Sequence, residues 1–411
     1  IARHWWRDGS SLDLYSCFEK NLEEIKHFAG NKSALEFEKF DKFSKDLFGL
    51  FKDPIIMNSK PDIFPVLVNG FKNIKLLKDL LIKNKKLYGY LNENFSDYRL
   101  KQLFSRYSTY VGGSPFNSPS ILSLIWHVEC QGVWRIAGGM YDLVKQIETI
   151  SKRSDASFFY KNKVKKILMK NNKINGIELK NNRVIDCDTI IFNGDPKALF
   201  DGLLGDEIQN AVSNNNINKR SLSAYVWSFA AKTQGLDLLH HNVLFNKNYK
   251  TEFDDIKRGE IPKDPTLYIC AQGSINNPRP KEKSLGRFEI IINGSPTYNH
   301  KKYNKQKEYT KCKEITFSIL DSMGLKIDLK PTEEMLTTPK EFEQLFPGSQ
   351  GSLYGRTPHG ISSTFMRPRN KSKIKGLLLA GGGTHPGAGI PMACLSGKHA
   401  AEMILKDLSL T

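Results

Sequence analysis

The feature that most constrains this chain stands near its end. Five glycines fall within nine residues (Gly381, Gly382, Gly383, Gly387 and Gly389), between the apolar run Leu377-Leu378-Leu379-Ala380 and a segment that starts at Pro391. The apolar run has the length of a buried strand, and Pro391 suits the first turn of a helix expected to reach about Leu405. Small residues (Ala393, Cys394, Ser396, Gly397, Ala400 and Ala401) line that helix, as close packing on a strand or a cofactor requires. Such a loop brings bare backbone against a ligand and aims free N–H groups and a positive helix end at it. It is not a dinucleotide fingerprint, because Pro386 stands where the third glycine of Gly-x-Gly-x-x-Gly belongs. On spacing alone, a purely structural loop remains open.

The rest of the chain divides by texture. From Ser33 to Phe51 the period is helical, with Phe37, Phe40, Phe43, Leu47 and Phe51 on one face and Lys39, Lys42 and Lys45 elsewhere. After Pro65, Phe71, Ile74, Leu77 and Leu81 alternate with lysines. Basic, Phe/Leu-rich helices like these either form core or lie in a membrane interface. A helical stretch runs through Trp126-His127-Val128-Glu129, and Gly138-Gly139-Met140 opens an amphipathic helix carrying Leu143, Ile147 and Ile150. The period then switches to strand: residues 163–169, 174–179 and around Val184 predict a three-stranded meander. Thr189 to Phe192 forms a short strand, and Asn193-Gly194-Asp195-Pro196 a turn into a helix. Between Ser221 and Ser352 the strand candidates are Ala224 to Phe229, Thr266 to Ala271 and Phe288 to Ile292, with a helix after Tyr309.

With 411 residues the chain is long enough for two packed domains, and no apolar run reaches the roughly 18 residues that span a bilayer. Its net charge of +18 has two readings, solvated lysines scattered over all faces or a basic face toward anionic lipid. Nucleic acid is not indicated, since no motif of that kind accompanies the charge. The six cysteines show no Cys-x-x-Cys pair and no clustering with histidines, so they are expected to be apolar fillers, with no metal site. The opening at Ile1, directly into a polar stretch, suggests an internal position of a longer protein.

Residues 380–391, Ala-Gly-Gly-Gly-Thr-His-Pro-Gly-Ala-Gly-Ile-Pro, resemble the C-terminal signature of the bacterial phytoene desaturase (carotenoid desaturase) family. Gly132-Val133-Trp134, Gly138-Gly139-Met140 and the run from Lys163 through Asn193-Gly194-Asp195-Pro196 resemble further segments of that family. Within it the chain is most similar to the hydroxyneurosporene and methoxyneurosporene desaturases. That likeness rests on Arg3-His4-Trp5-Trp6-Arg7-Asp8-Gly9-Ser10, His240-His241-Asn242-Val243, Asp264 to Gln272, and Tyr354 to Gly360.

The resemblance implies an α/β, FAD-dependent, amine-oxidase-like flavoprotein of two domains, a Rossmann-type FAD domain and a mixed-sheet and helical substrate domain. The flavin domain would take 132–218 and 352–411, and the substrate domain 1–131 and 219–351, with the family's N-terminal glycine-rich βαβ unit missing. It further implies that Val164 offers backbone hydrogen bonds to the adenine side of FAD. Gly381, Gly383 and Thr384 would approach the ribityl–pyrophosphate region, in the same loop as Gly387. Gly389, Ile390 and Pro391 would lie beside the isoalloxazine, where a positive helix end stabilises charge developing during hydride acceptance. The implied reaction removes two vicinal hydrogens from a carotenoid, by an enzyme docked peripherally on the cytoplasmic side of the bacterial inner membrane. Phytoene desaturase and carotenoid isomerase share the motif, and a cofactor-free lipid-binding relative at the membrane surface stays open. No catalytic base is named. His385 suits a packing or backbone-bonding role, and His127 with Glu129 suits satisfied structural polar groups as well as an acid–base pair.

Overall fold

The computed structural model describes residues 1–71, 86–272, 285–299, 303–360, 363 and 366–409. The strands run, in chain order, β1 (Ala2–Trp5), β2 (Ser11–Leu14), β3 (Val164–Lys170), β4 (Lys173–Leu179), β5 (Val184–Asp186) and β6 (Ile190–Phe192). Then come β7 (Ser223–Gly235), β8 (His241–Leu244), β9 (Leu267–Gln272), β10 (Gly286–Gly294), β11 (Leu325–Asp328), β12 (Leu336–Thr337) and β13 (Leu377–Leu379).

These strands make three sheets: an eight-stranded one ordered β11-β7-β10-β9-β8-β1-β2 with β12 also on β7, the meander β3-β4-β5, and the parallel pair β13-β6. The β1–β2 hairpin joins the large sheet through a parallel pairing that sets His4 opposite Val243. The expected strands all formed, while the hairpin, β8 and β11 were not foreseen. Turns of the meander fall at Asn171, Asn172 and Asn182, each with positive φ, a conformation asparagine tolerates better than most residues.

The long helix Phe18–Phe51 breaks at Gly30, whose φ of 84° is outside the helical region, so its second half begins near the expected Ser33. The phenylalanine stripe there is core. Phe37, Phe40 and Leu47 are at most 1% exposed, and Phe37 stacks on Phe104 at 5.9 Å and meets Trp126 edge-on at 5.4 Å. Burying each such side chain stabilises the fold by about 1.5–3 kcal/mol, so this face is closed to lipid. Helix Phe64–Phe71 differs, with Phe64 and Phe71 each 69% exposed. The remainder of the expected basic helix, 72–85, lies outside the described residues.

A second core fills one side of the large sheet, where Trp227 donates through Nε1 to Thr316 Oγ1 (3.2 Å) of helix Lys305–Ser322. A third joins Ile167, Ile174, Leu199, Leu377 and Leu379 beneath the glycine loop. The helix Met140–Arg153 has the amphipathic face expected of it, yet none of its residues is buried; Val144, Ile147 and Ile150 are each at least half exposed. Of the six free cysteines, Cys17 and Cys394 are exposed, so the filler reading does not hold for them.

Candidate active site

The glycine loop leaves β13, whose three leucines are all buried, and enters the helix Ile390–Ser409. Strand β6 fixes its start: Ala380 N donates to Phe192 O (3.0 Å). Asn370 Nδ2 ties the floor together by donating to Leu379 O, Ser396 O and Ser396 Oγ at 2.9–3.0 Å. Arg367 holds the loop from the side. Its guanidinium donates to Gly382 O (2.9 Å), Tyr354 O (2.8 Å) and Arg356 O (3.2 Å), and burial depresses its pKa to about 10. Three neutral carbonyls replace an ion pair here, which stiffens the loop without neutralising the charge.

The glycines then separate into two groups. An added Cβ would stand 3.2 Å from Asn193 Oδ1 at Gly381, 3.0 Å from Pro196 Cδ at Gly383, and 3.2 Å from Arg367 Nε at Gly387. These three let protein pack on protein. Gly389 is different: its φ is +100° and nothing lies within 4 Å of an added Cβ. Gly389, Ile390 and Pro391 form the exposed rim, at the free N–H groups of the last helix. Thr384 is fully buried, and its Oγ1 has no hydrogen-bond partner among the described residues. An open glycine rim, an unsatisfied hydroxyl and a helix N-terminus together fit a large anionic, planar cofactor.

Val164 does not belong to the loop. The bridge Lys173–Lys375 is parallel, so β4 runs in the same direction as β13. Val164, opposite Leu179, therefore lies toward the end of the molecule at which the loop emerges. His385 bonds through Nε2 to Asn58 O (2.8 Å), and its backbone N donates to Pro368 O (2.8 Å). It braces the loop against the segment that leads into helix Phe64–Phe71. The Asp195–Arg220 ion pair, buried on both sides, anchors the turn before helix Pro196–Phe200, whose N-cap is Asp195.

A second group of polar residues stands against the loop. Gly355 would place a Cβ 3.0 Å from Gly383 Cα, and Gly112 would place one 2.6 Å from Tyr354 Cδ2. Gly112 closes the 3₁₀ turn Arg106–Val111. From that turn Tyr107 donates to Glu129 Oε2 (2.5 Å) and Tyr110 to Glu129 Oε1 (3.3 Å). The Arg106 guanidinium lies 5.3 Å from the ring centres of both Tyr110 and Tyr268, and Tyr268 Oη meets His241 Nδ1 at 2.7 Å. Desolvation raises the pKa of Glu129, against the lowering effect of the Tyr107 hydrogen bond and of Arg106. Tyr110 keeps 37% of its surface accessible, yet desolvation still drives its pKa up.

His127 does not pair with Glu129. The two are two residues apart on one helix and so point apart, and His127 contacts Phe48 and Gln131 instead. The structure also corrects the reading of the cysteines. Strand pairing of β8 with β9 gathers His240, His241 and Cys270, with candidate ligand atoms within 4.8 Å of one another. Burial raises the Cys270 pKa, disfavouring the thiolate a metal requires. Arg135 and Arg106 press positive charge on the histidines. His241 is hydrogen-bonded to Tyr268, while the buried His240 Nδ1 has no partner among the described residues.

The fold and the loop define a flavin-dependent oxidoreductase of the amine-oxidase-like class. The family of flavin containing amine oxidoreductases matches residues 318–405. An oxidoreductase from Methanosarcina mazei has a similar fold, with a TM-score of 0.50 at 17% identity over 81% of this chain and 72% of that one. The hydroxyneurosporene desaturase of Cereibacter sphaeroides is 43% identical over 409 residues, covering 100% of this chain and 81% of that protein. A 1-hydroxycarotenoid 3,4-desaturase from a Flavobacterium is 31% identical over 76% of this chain and 64% of that protein. The chain belongs to the carotenoid desaturase family, and its cofactor is FAD.

Proposed function

We propose that the protein introduces a double bond into a hydroxylated acyclic carotenoid. One observation carries this: the loop that ends in the open rim of Gly389, Ile390 and Pro391 packs through Gly383 on Gly355, next to the Tyr354 that meets Gly112 at the end of the tyrosine-bearing turn Arg106–Val111. Two vicinal C–H bonds break and one π bond forms; one hydrogen leaves as hydride and the other as a proton. Bound FAD supplies the two-electron acceptor for the hydride. The chain's own contribution is positional. Arg367 and Asn370 fix the loop, and the N–H groups at Ile390 and beyond favour negative charge at the rim. Expression of the holoenzyme in cells that accumulate a hydroxylated neurosporene tests the reading. Added conjugation shifts absorbance to longer wavelength; an unchanged pigment spectrum with flavin bound would refute it.

The division expected from the sequence, with 132–218 and 352–411 as the flavin domain, belongs to the same proposal. So does peripheral binding to the cytoplasmic face of the inner membrane. Met57, Ile63, Phe64, Val68 and Phe71 are each at least 43% exposed, and no helix among the described residues is long and apolar enough to cross a membrane. A chain of net charge +18 favours an anionic surface. Wild-type protein should float with anionic liposomes, and Phe64→Ser with Phe71→Ser should not. Equal flotation of both would remove this face from consideration.

A further inference from the structure

We propose that Arg106, Tyr110 and Glu129 form a subsite for the hydroxyl group of the substrate, and so set the preference for hydroxylated over plain hydrocarbon polyenes. The inference rests on the function proposed above and names the side chains that would carry its specificity.

Arg106 is a charged group that a site for plain hydrocarbon has no reason to keep. Arg106 has no carboxylate within ion-pair distance among the described residues; its hydrogen bond goes to Tyr110 Oη at 3.3 Å. Its guanidinium stands between the rings of Tyr110 and Tyr268, each 5.3 Å away, so N–H groups remain free to donate. Glu129 stands on the other side of Tyr110 and accepts from Tyr107 and Tyr110, one phenol on each carboxyl oxygen. An alcohol carries one donor and two acceptor lone pairs. Free N–H groups of Arg106 match its lone pairs, and Glu129 or the Tyr110 oxygen matches its proton. A plain hydrocarbon drawn over the same groups would desolvate them and return nothing.

Position agrees with chemistry. In the related 1-hydroxycarotenoid 3,4-desaturase the name sets the hydroxyl on carbon 1 and the new double bond at carbons 3 and 4, only two bonds apart. A hydroxyl subsite must then adjoin the flavin rim. The 3₁₀ turn holding Arg106 and Tyr110 ends at Gly112 against Tyr354, and the neighbouring Gly355 packs on Gly383, six residues before Gly389 in the loop that carries the rim.

The test compares two probes with the full-length holoenzyme in liposomes: an acyclic carotene with a 1-hydroxyl group, and the same carotene without it. Sites built to hydrogen-bond a substrate hydroxyl reject the analogue lacking it, by up to about 10⁴-fold. Wild type should therefore show the higher kcat/KM on the hydroxylated probe. Glu129→Gln and Arg106→Leu should each cut that preference about 10- to 100-fold. Tyr110→Phe keeps the ring beside Arg106 and should cut it about 3- to 10-fold. Flavin content and far-UV circular dichroism identify any variant that fails to fold, and Tyr110→Phe then decides. A preference unchanged in the folded variants, or equal proportional losses on both probes, overturns the subsite. A wild type that turns over neither probe defeats the parent reading and this one with it.

Discussion

Replacing Gly389 with valine separates cofactor contact from folding. At this position φ is +100°, and an added Cβ meets no protein atom within 4 Å. The fold's loss is therefore backbone strain alone, about 1–3 kcal/mol for a branched residue at positive φ. With an unfolding entropy of about 2.1 cal/mol/K per residue, a 411-residue chain loses about 1 °C per kcal/mol, so the melting temperature should fall by about 1–4 °C. Gly383→Val is the control with the opposite geometry. Its Cβ would stand 3.0 Å from Pro196 Cδ, so the branched methyls enter the packed turn that Asp195 caps. Overpacking there should cost about 1–3 kcal/mol, by displacement of protein rather than by φ strain. The assay is flavin absorbance retained after gel filtration, together with thermal unfolding and desaturation of a hydroxylated carotene. Gly389→Val should lose flavin or activity while keeping its fold, whereas Gly383→Val should lose stability first. A Gly389→Val protein that holds flavin and desaturates at the wild-type rate would refute the assignment of this rim to the cofactor.

Other consequences are as direct. Arg220→Met strands Asp195 in a site where the two side chains are 1% and 8% exposed, and should cost about 3–5 kcal/mol in denaturant unfolding; a loss below about 1 kcal/mol would mean the pair is solvated. Burial pushes the Glu252 carboxyl from 4.5 up to about 7, opposed by hydrogen bonds from Asn293 and Thr266. The folded protein thus holds a proton the unfolded chain has released, so this group's stabilisation is present below about pH 4.5 and fades as pH rises to about 7, by on the order of 3 kcal/mol. Glu252→Gln should accordingly gain on wild type between pH 5 and pH 8, and parallel stability curves would contradict the shift. Trp227→Phe leaves Thr316 Oγ1 without the Trp227 Nε1 donor and should cost about 1–3 kcal/mol, read as a lower urea midpoint with an unchanged slope.

How far the sequence discloses this molecule depends on how local each determinant is. The glycine loop was legible because its chemistry lies in neighbouring backbone, where glycine spacing, a leading apolar strand and Pro391 suffice. What spacing could not separate was glycines that admit protein from the one that faces outward, since Asn193, Pro196 and Arg367 arrive from elsewhere in the chain. The subsite around Arg106 was illegible for the same reason. Tyr107 and Tyr110 reach Glu129 across about 20 residues, and Tyr268 reaches Arg106 across more than 160. Glu129 was noticed as a polar group that a structural role would satisfy, but its partners Tyr107 and Tyr110 lie too far off in sequence to be named from it.

The amphipathic helices teach the sharper lesson. Residues 37–51 and 140–153 carry the same helical period, yet Phe37 and Phe40 are buried against Phe104 while Val144 and Ile150 stand open. Period reports that a helix has an apolar face, not what lies over it. For 37–51 the cover is the chain's own aromatic core, which decides between the two readings left open for that helix. The exposed face of Phe64–Phe71 remains the one proposed to meet a membrane. It adjoins Asn58, whose carbonyl meets His385 Nε2, so the segment proposed to meet the membrane is hydrogen-bonded to the glycine loop itself. On the proposed membrane docking, that contact ties the lipid-side face to the loop that carries the Gly389–Pro391 rim.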